Sequence, residues 1–160
     1  MPYKVRIFWK KKVDEPFVDM KYSRSHTWTF DGGIELAASS SPHVVPLPMS
    51  NEFAVDPEEA FIASISSCHM LWFLSIAAEK NYVVEIYEDN AEGVLSKNEE
   101  GKLAMTRVTL KPRVIFGSNN TPSRDQIAEL HHLAHEKCFI ASSVKTKIIV
   151  VPFETLEETK

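Results

Sequence analysis

One segment constrains this chain more than any other. Residues 60–78, AFIASISSCHMLWFLSIAA, contain no Lys, Arg, Asp or Glu. A run of that length approaches the ~20 apolar residues of a membrane span. Ser64, Ser66, Ser67, His69 and Ser75 interrupt it, and no second run accompanies it, so it reads as a helix inside a globular protein. A helix apolar on most sides must be covered on most sides. A sheet of its own chain can take one side, and a second copy of the chain is the expected cover for the rest. Asp56-Pro57-Glu58-Glu59 opens this helix: Asp56 suits the N-cap, Pro57 the first helical position, and Glu59 the capping-box carboxylate. The spacing predicts that it runs to about Asn81.

The rest of the chain alternates or turns. Tyr3, Val5, Ile7 and Trp9 give one apolar strand face. Over residues 22–30, Tyr22, Arg24, His26, Trp28 and Phe30 share one face, and Ser23, Ser25, Thr27 and Thr29 the other. Asp31-Gly32-Gly33 is a turn signal from which Ile34 to Ala38 returns as a paired strand. Residues 39–55 read as a long loop, a feature that is often functional. Strand patterns near 83–96 and 103–116 are joined by a turn at Glu99-Glu100-Gly101. A second helix is predicted over roughly 123–138 and a last strand over 145–151. The order β-β-β-α-β-β-α-β is an α+β layout. With 160 residues, no repeat and no linker, a single domain over residues 1–160 is expected.

A net charge of −4 argues against non-specific nucleic-acid binding, which needs a basic surface. Ile7-Phe8-Trp9 is too short for the core of a secretory signal and Lys10-Lys11-Lys12 follows at once, so a cytoplasmic location is expected, with no membrane partner. In a reducing compartment, two cysteines are reactive, metal-binding or simply buried before they are a structural bridge.

Cys68 lies deep in the first helix, beyond the reach of the helix dipole. A reactive thiolate there needs a cation from elsewhere. Arg24 is the best candidate, because a guanidinium on an apolar strand face is costly unless paired. His26 shares that face and can line the same cleft. Glu58 is a natural partner for Arg24, although a carboxylate in a first turn is also plain capping. Glu58 and Cys68 are separated by ~15 Å along a continuous helix, so one site using both favours composite sites in a dimer. On the second helix His131, His135 and Cys138 fall within about 60° of one another, a possible metal face with Cys68 as a fourth ligand. The alternative is a polar face with Ile127, Leu130 and Ala134 turned to the core. No C-x-x-C or H-E-x-x-H accompanies it.

The run DPEEAFIASISSCHMLWFLSIAAEKN resembles the central helix of the OsmC/Ohr family, the osmotically inducible protein C and organic hydroperoxide resistance proteins. HEKCFIASSVKTKI resembles that family's second cysteine segment. The resemblance covers about residues 22–152. It implies an OsmC-like α+β fold, an intertwined homodimer whose long central helices are wrapped by antiparallel sheets. It also implies a thiol-dependent peroxidase acting on organic hydroperoxides, and on hydrogen peroxide as a further substrate. Cys68 would attack the peroxide and become a sulfenic acid, and Cys138 would resolve it as a disulfide. An external dithiol, from a small thiol or a reducing protein, would reset the pair with no bound cofactor and no metal. The family's thiolate-stabilising arginine and the glutamate that holds it map to Arg24 and Glu58.

The sequence departs from the family where His69 follows the first cysteine and Phe139 the second, which touches substrate preference. His69 either tunes Cys68 or is a hydrogen-bonded core histidine, and His26 and His135 are open in the same way. Phe53, Phe61, Met70 and Trp72 are available for an apolar pocket. Two other readings stand beside the peroxidase: a non-catalytic dimer of this fold that binds a small apolar ligand, and a His/Cys metal protein.

Overall fold

The computed structural model describes residues 2–153. The elements run β1 (Val5–Phe8), β2 (His26–Phe30), β3 (Glu35–Ala38), α1 (Pro57–Glu79), β4 (Val84–Asp89), β5 (Glu92–Lys97), β6 (Leu103–Leu110), β7 (Pro112–Phe116), α2 (Arg124–Lys137), α3 (Phe139–Ser142) and β8 (Lys147–Val150). The layout is α+β, as expected. By contact the chain forms two compact units, one ending at Ala60 and one starting at Phe61.

In the first unit β1, β2 and β3 form an antiparallel meander in which Ile7 faces Trp28 and Trp28 faces Leu36. The turn at 31–33 closes through Gly33, whose φ of +86° suits glycine. The strand expected over 22–30 starts only at His26. Residues 23 and 24 are drawn away from the ladder: Ser23 N donates to Glu15 Oε1 (2.7 Å), Trp9 Nε1 to Ser23 O (2.8 Å), and Arg24 N to Met49 O (2.8 Å). The loop over 39–55 is pinned at its base, where Ser39 N donates to Val55 O (3.0 Å) and buried Ser39 Oγ accepts from Asn51 N (3.1 Å).

Helix α1 starts as its sequence dictates. Glu59 N donates to Asp56 Oδ1 at 2.8 Å, and Asp56 N points back at Glu59 Oε2 (3.5 Å). It ends at Glu79, two residues before the predicted stop, because Asn81 takes a left-handed φ of 60°. Tyr82 N then reaches Ala77 O (2.9 Å), and Asn81 N reaches Ala78 O (3.0 Å), which together close a Schellman cap. By length and hydropathy α1 could cross a membrane. Yet Ile65, His69, Phe73, Ile76 and Ala77 form a buried stripe. The opposite stripe of Ser64, Ser67, Leu71, Ser75 and Ala78 is exposed and mostly small or hydroxylated.

The buried stripe in the second unit meets two clusters. Ile65 packs with Val108 and Leu110 of β6, alongside Ile148 and Val150 of β8. Phe73, Ile76 and Ala77 pack with Leu130 and Ala134 of α2, alongside Tyr87 and Phe116. Each fully buried Phe, Ile or Leu contributes roughly 1.5–3 kcal/mol.

Two further features differ from the sequence expectation. The patterns near 83–96 and 103–116 are each broken into two strands, β4 with β5 and β6 with β7. One long hairpin therefore splits into a β4–β7 pair and a β5–β6 pair. The break lies where Asp89 turns its carboxylate out of the ladder, accepting from the Ser66 hydroxyl on α1 and from Lys111 N (2.6 Å). The sheets are also not all antiparallel. β8 pairs with β6 in parallel, Val108 facing Ile148, because the connection through α2 and α3 returns the chain in the same direction. Helix α2 opens with a full capping box between Ser123 and Gln126.

Candidate active site

Cys68 sits mid-helix in α1, half-buried, and Cys138 is 1% exposed; both are free thiols. Cys138 lies at a junction. Its extended backbone, φ −68° and ψ 111°, ends α2, and its Sγ accepts from Ala141 N (3.4 Å) as the cap of α3. The two thiols hydrogen-bond to each other, so the fold brings together the cysteines that are seventy residues apart in sequence. Burial, and then the hydrogen bond and charge of Cys68, push the Cys138 thiol up to about 11, against a smaller opposite pull from the Ala141 and Ile140 backbone N–H groups. Around the pair, Trp72 meets the Phe139 ring edge-on at 5.5 Å and lies 5.4 Å from Lys137 Nζ.

A second polar pair joins the two helices that carry the cysteines. His69 and His131 are 1% and 3% exposed, and their Nε2 and Nδ1 atoms lie 3.0 Å apart. Phe73 covers His131 at 4.4 Å. Burial holds both rings neutral. His69 is lowered to about 4, helped by the charge of His135, and His131 to about 3, helped by His69. This overturns the metal face read from His131, His135 and Cys138. His131 turns into the core and Cys138 turns to Cys68. Among the described residues no group of three or more His, Cys, Asp or Glu side chains could hold a metal ion. The burial of His131 was missed at the sequence level, yet its signal was present: buried Leu130, His131, Ala134 and Cys138 follow one helical stripe.

Arg24 and Glu58 lie in the first unit. They line one cavity of about 330 Å³ together with His26, Ser39, Ser40, Ile7, Trp9 and Pro57. The guanidinium of Arg24 stacks 3.7 Å from the Tyr22 ring centre, and its Nη1 donates to Met20 O (2.6 Å) and Tyr22 O. Tyr22 is itself stacked on Phe17 at 4.5 Å. Glu58 borders the same cavity as Arg24, and its buried Oε2 has no hydrogen-bond partner among the described residues. His26 is held at both ring nitrogens. Trp28 Nε1 donates to its Nε2 (2.8 Å), and its Nδ1 lies 2.7 Å from Arg24 O. Of the residues available for an apolar pocket, Phe61 and Trp72 flank the core clusters, while Phe53 is 92% exposed.

Fold and site together define an α+β protein that carries two facing cysteines, one half-buried and one buried. The family model described as OsmC-like protein matches residues 50–152, and the chain belongs to that family. It is similar to an OsmC-like protein of unknown function from Vibrio cholerae, with 53% identity and a TM-score of 0.94 over 96% of this chain and 99% of that one. It shares the fold of the organic hydroperoxide resistance protein OhrB of Bacillus subtilis (19% identity, TM-score 0.68, 96% and 98% covered). The same holds for an OsmC-like protein of Mycoplasma pneumoniae (16% identity, TM-score 0.70, 96% of both chains). Comparison with curated proteins gives no match.

Proposed function

We propose that this protein is a thiol-dependent peroxidase that reduces organic hydroperoxides, with hydrogen peroxide as a second substrate. The observation that carries the reading is the pair of free thiols in hydrogen-bond contact with unequal burial. The Cys68 thiolate attacks the outer peroxide oxygen, the O–O bond breaks, and the alkoxide leaves as alcohol after taking a proton. Cys68 is then a sulfenic acid. The Cys138 sulfur displaces its hydroxyl, forming the disulfide and one water. A dithiol reductant returns both thiols and is itself oxidised. By the family's pattern Arg24 is assigned to stabilise the thiolate and Glu58 to orient Arg24, and their common cavity supports a shared task. The function in the name of the Bacillus relative supports the choice of an organic hydroperoxide.

The same reading includes a homodimer. The exposed stripe of α1, with Leu71 at its centre, and the exposed apolar residues of β1 favour a second copy as their cover.

The test is direct. Reduced protein, freed of reductant, receives one equivalent of an alkyl hydroperoxide or of hydrogen peroxide, and free thiols and intact mass are followed. Rapid loss of both thiols with a mass loss of two hydrogens per chain and no crosslinked dimer is expected. Survival of both thiols overturns the reading. Sedimentation equilibrium of the same sample checks the dimer.

A further inference from the structure

The helix that carries Cys68 and the helix that ends on Cys138 are joined by a second polar contact, which the peroxide chemistry does not use. His69 Nε2 and His131 Nδ1 are 3.0 Å apart, with ring planes within 7° of each other. Resting on the thiol-redox reading above, we propose that the His69–His131 hydrogen bond is a clasp that positions the two thiols, holding α1 against α2 at the spacing from which Cys68 and Cys138 can be joined.

Three observations carry this. The first is placement. His69 follows Cys68 directly, and His131 precedes Cys138 by two helical turns, which puts it on nearly the same face of α2. Both contacts are therefore made between the same two helices, from neighbouring positions on α1 and from nearly one face of α2. The second is directionality. Much of the remaining contact between the two helices is packing, Phe73 on His131, Trp72 on Phe139 and Ile76 and Ala77 with Leu130 and Ala134, and apolar packing is non-directional. A hydrogen bond weakens steeply as its angle departs from linear, and a disulfide needs its Cβ atoms within a narrow range of ~3.5–4.5 Å. A directional tie beside the thiols restricts the slide that a disulfide cannot tolerate. The third is the penalty the fold bears for using imidazoles here. His69 Nδ1 and His131 Nε2 are buried without a hydrogen-bond partner among the described residues. Two leucines would fill the space and leave no such atom, so packing alone does not account for the choice. Burial keeps both rings neutral, as a simple N–H···N bond requires.

The clasp raises the effective concentration of one thiol at the other, so its loss destabilises the disulfide relative to the dithiol. The experiment equilibrates the protein in graded mixtures of reduced and oxidised dithiothreitol and quantifies the Cys68–Cys138 disulfide by alkylation and mass. His69→Leu and His131→Leu remove the bond. His69→Gln and His131→Asn keep a hydrogen-bonding atom near the positions of Nε2 and Nδ1. The leucine variants are expected to lower the equilibrium constant for disulfide formation roughly five- to tenfold, a potential about 20–30 mV less reducing. The amide variants are expected to stay within about twofold of wild type. Leucine variants matching wild type overturn the clasp, and so do amide variants that fall as far as the leucines. A wild-type protein that forms no intrachain disulfide refutes the underlying redox reading instead. If the leucine variants do not fold, imidazole ¹⁵N shifts of the wild type decide. A bond present in both redox states supports the clasp, and a bond missing from either overturns it.

Discussion

Acid should weaken this fold by more than its carboxylates account for, and the buried imidazole pair sets the amount. In the unfolded chain each ring takes a proton as the pH falls through about 6.5. In the folded protein His69 declines it until about 4 and His131 until about 3. Between those values the unfolded state binds more protons than the folded one. The stability held above pH 6.5 is therefore lost progressively on acidification. Each such proton contributes a slope of about 1.4 kcal/mol per pH unit. From pH 5.5 to 4.5 the unfolded rings are nearly fully charged and the folded rings mostly neutral, so the pair should remove roughly 2–3 kcal/mol. That is a large fraction of a total of ~5–15 kcal/mol. The assay is urea unfolding at fixed protein concentration at pH 7, 5.5 and 4.5, for wild type and for His69→Leu/His131→Leu. All other titrations are common to both, so the difference between their pH dependences isolates the pair. Wild type should lose roughly 2–3 kcal/mol more than the double variant across that last unit. Parallel pH dependences would refute the reasoning.

Other outcomes follow from single contacts. Cys68→Ser should reduce peroxide consumption to the uncatalysed background. Cys138→Ser should still react once and leave a Cys68 sulfenic acid that a dimedone-type probe traps and intact mass detects. Cys68→Ala removes both the hydrogen bond and the charge that raise Cys138, so the Cys138 thiolate, followed by its ultraviolet absorbance, should titrate below about 11. An upward move would refute that cause. A Cβ on Gly93 would lie 2.5 Å from Ile62 Cδ1, 2.9 Å from Ile62 Cγ1 and 2.6 Å from Met105 Sδ, so both side chains must shift to admit a methyl group. Gly93→Ala should therefore destabilise the protein by roughly 1–3 kcal/mol, read as a fall in the urea midpoint with an unchanged slope.

The parts of this fold written in local sequence were legible, and the parts made by distant contacts were not. The start of α1 is spelled by Asp56, Pro57 and Glu59 within four residues, and the capping bonds form between those atoms. The bend that divides the long hairpin has no comparable signal. It depends on one carboxylate, Asp89, meeting Ser66 on α1 and Lys111 on the neighbouring strand. Counting alternation along one strand cannot reveal that. Arg24 shows the same limit. Face alternation selected it, and it does border a cavity with Glu58, but its stacking on Tyr22 depends on carbonyls of the preceding loop. His131 was the hardest. An imidazole is buried only with a partner, and that partner lies sixty-two residues away.

The unequal burial of the two thiols bears on which of them begins the proposed reaction. A peroxide is attacked by thiolate, and the attacking sulfur must be reachable. A thiol raised to about 11 is ionised in about one molecule per thousand at pH 8, and Cys138 is also shielded from solvent. Cys68, half-buried on α1, is the more accessible of the two. The same properties that unfit Cys138 for the first step suit it to the second. A buried, protonated thiol resists direct oxidation, and it needs to react only with the sulfur already in contact with it. Its proton then leaves with the displaced hydroxyl as water. Making Cys138 more exposed should therefore speed its alkylation and its irreversible oxidation without increasing peroxide turnover. A Phe139→Ala variant, which removes the ring packed on Trp72 beside Cys138, offers the comparison. Faster turnover in that variant would mean that access to Cys138, and not to Cys68, limits the chemistry.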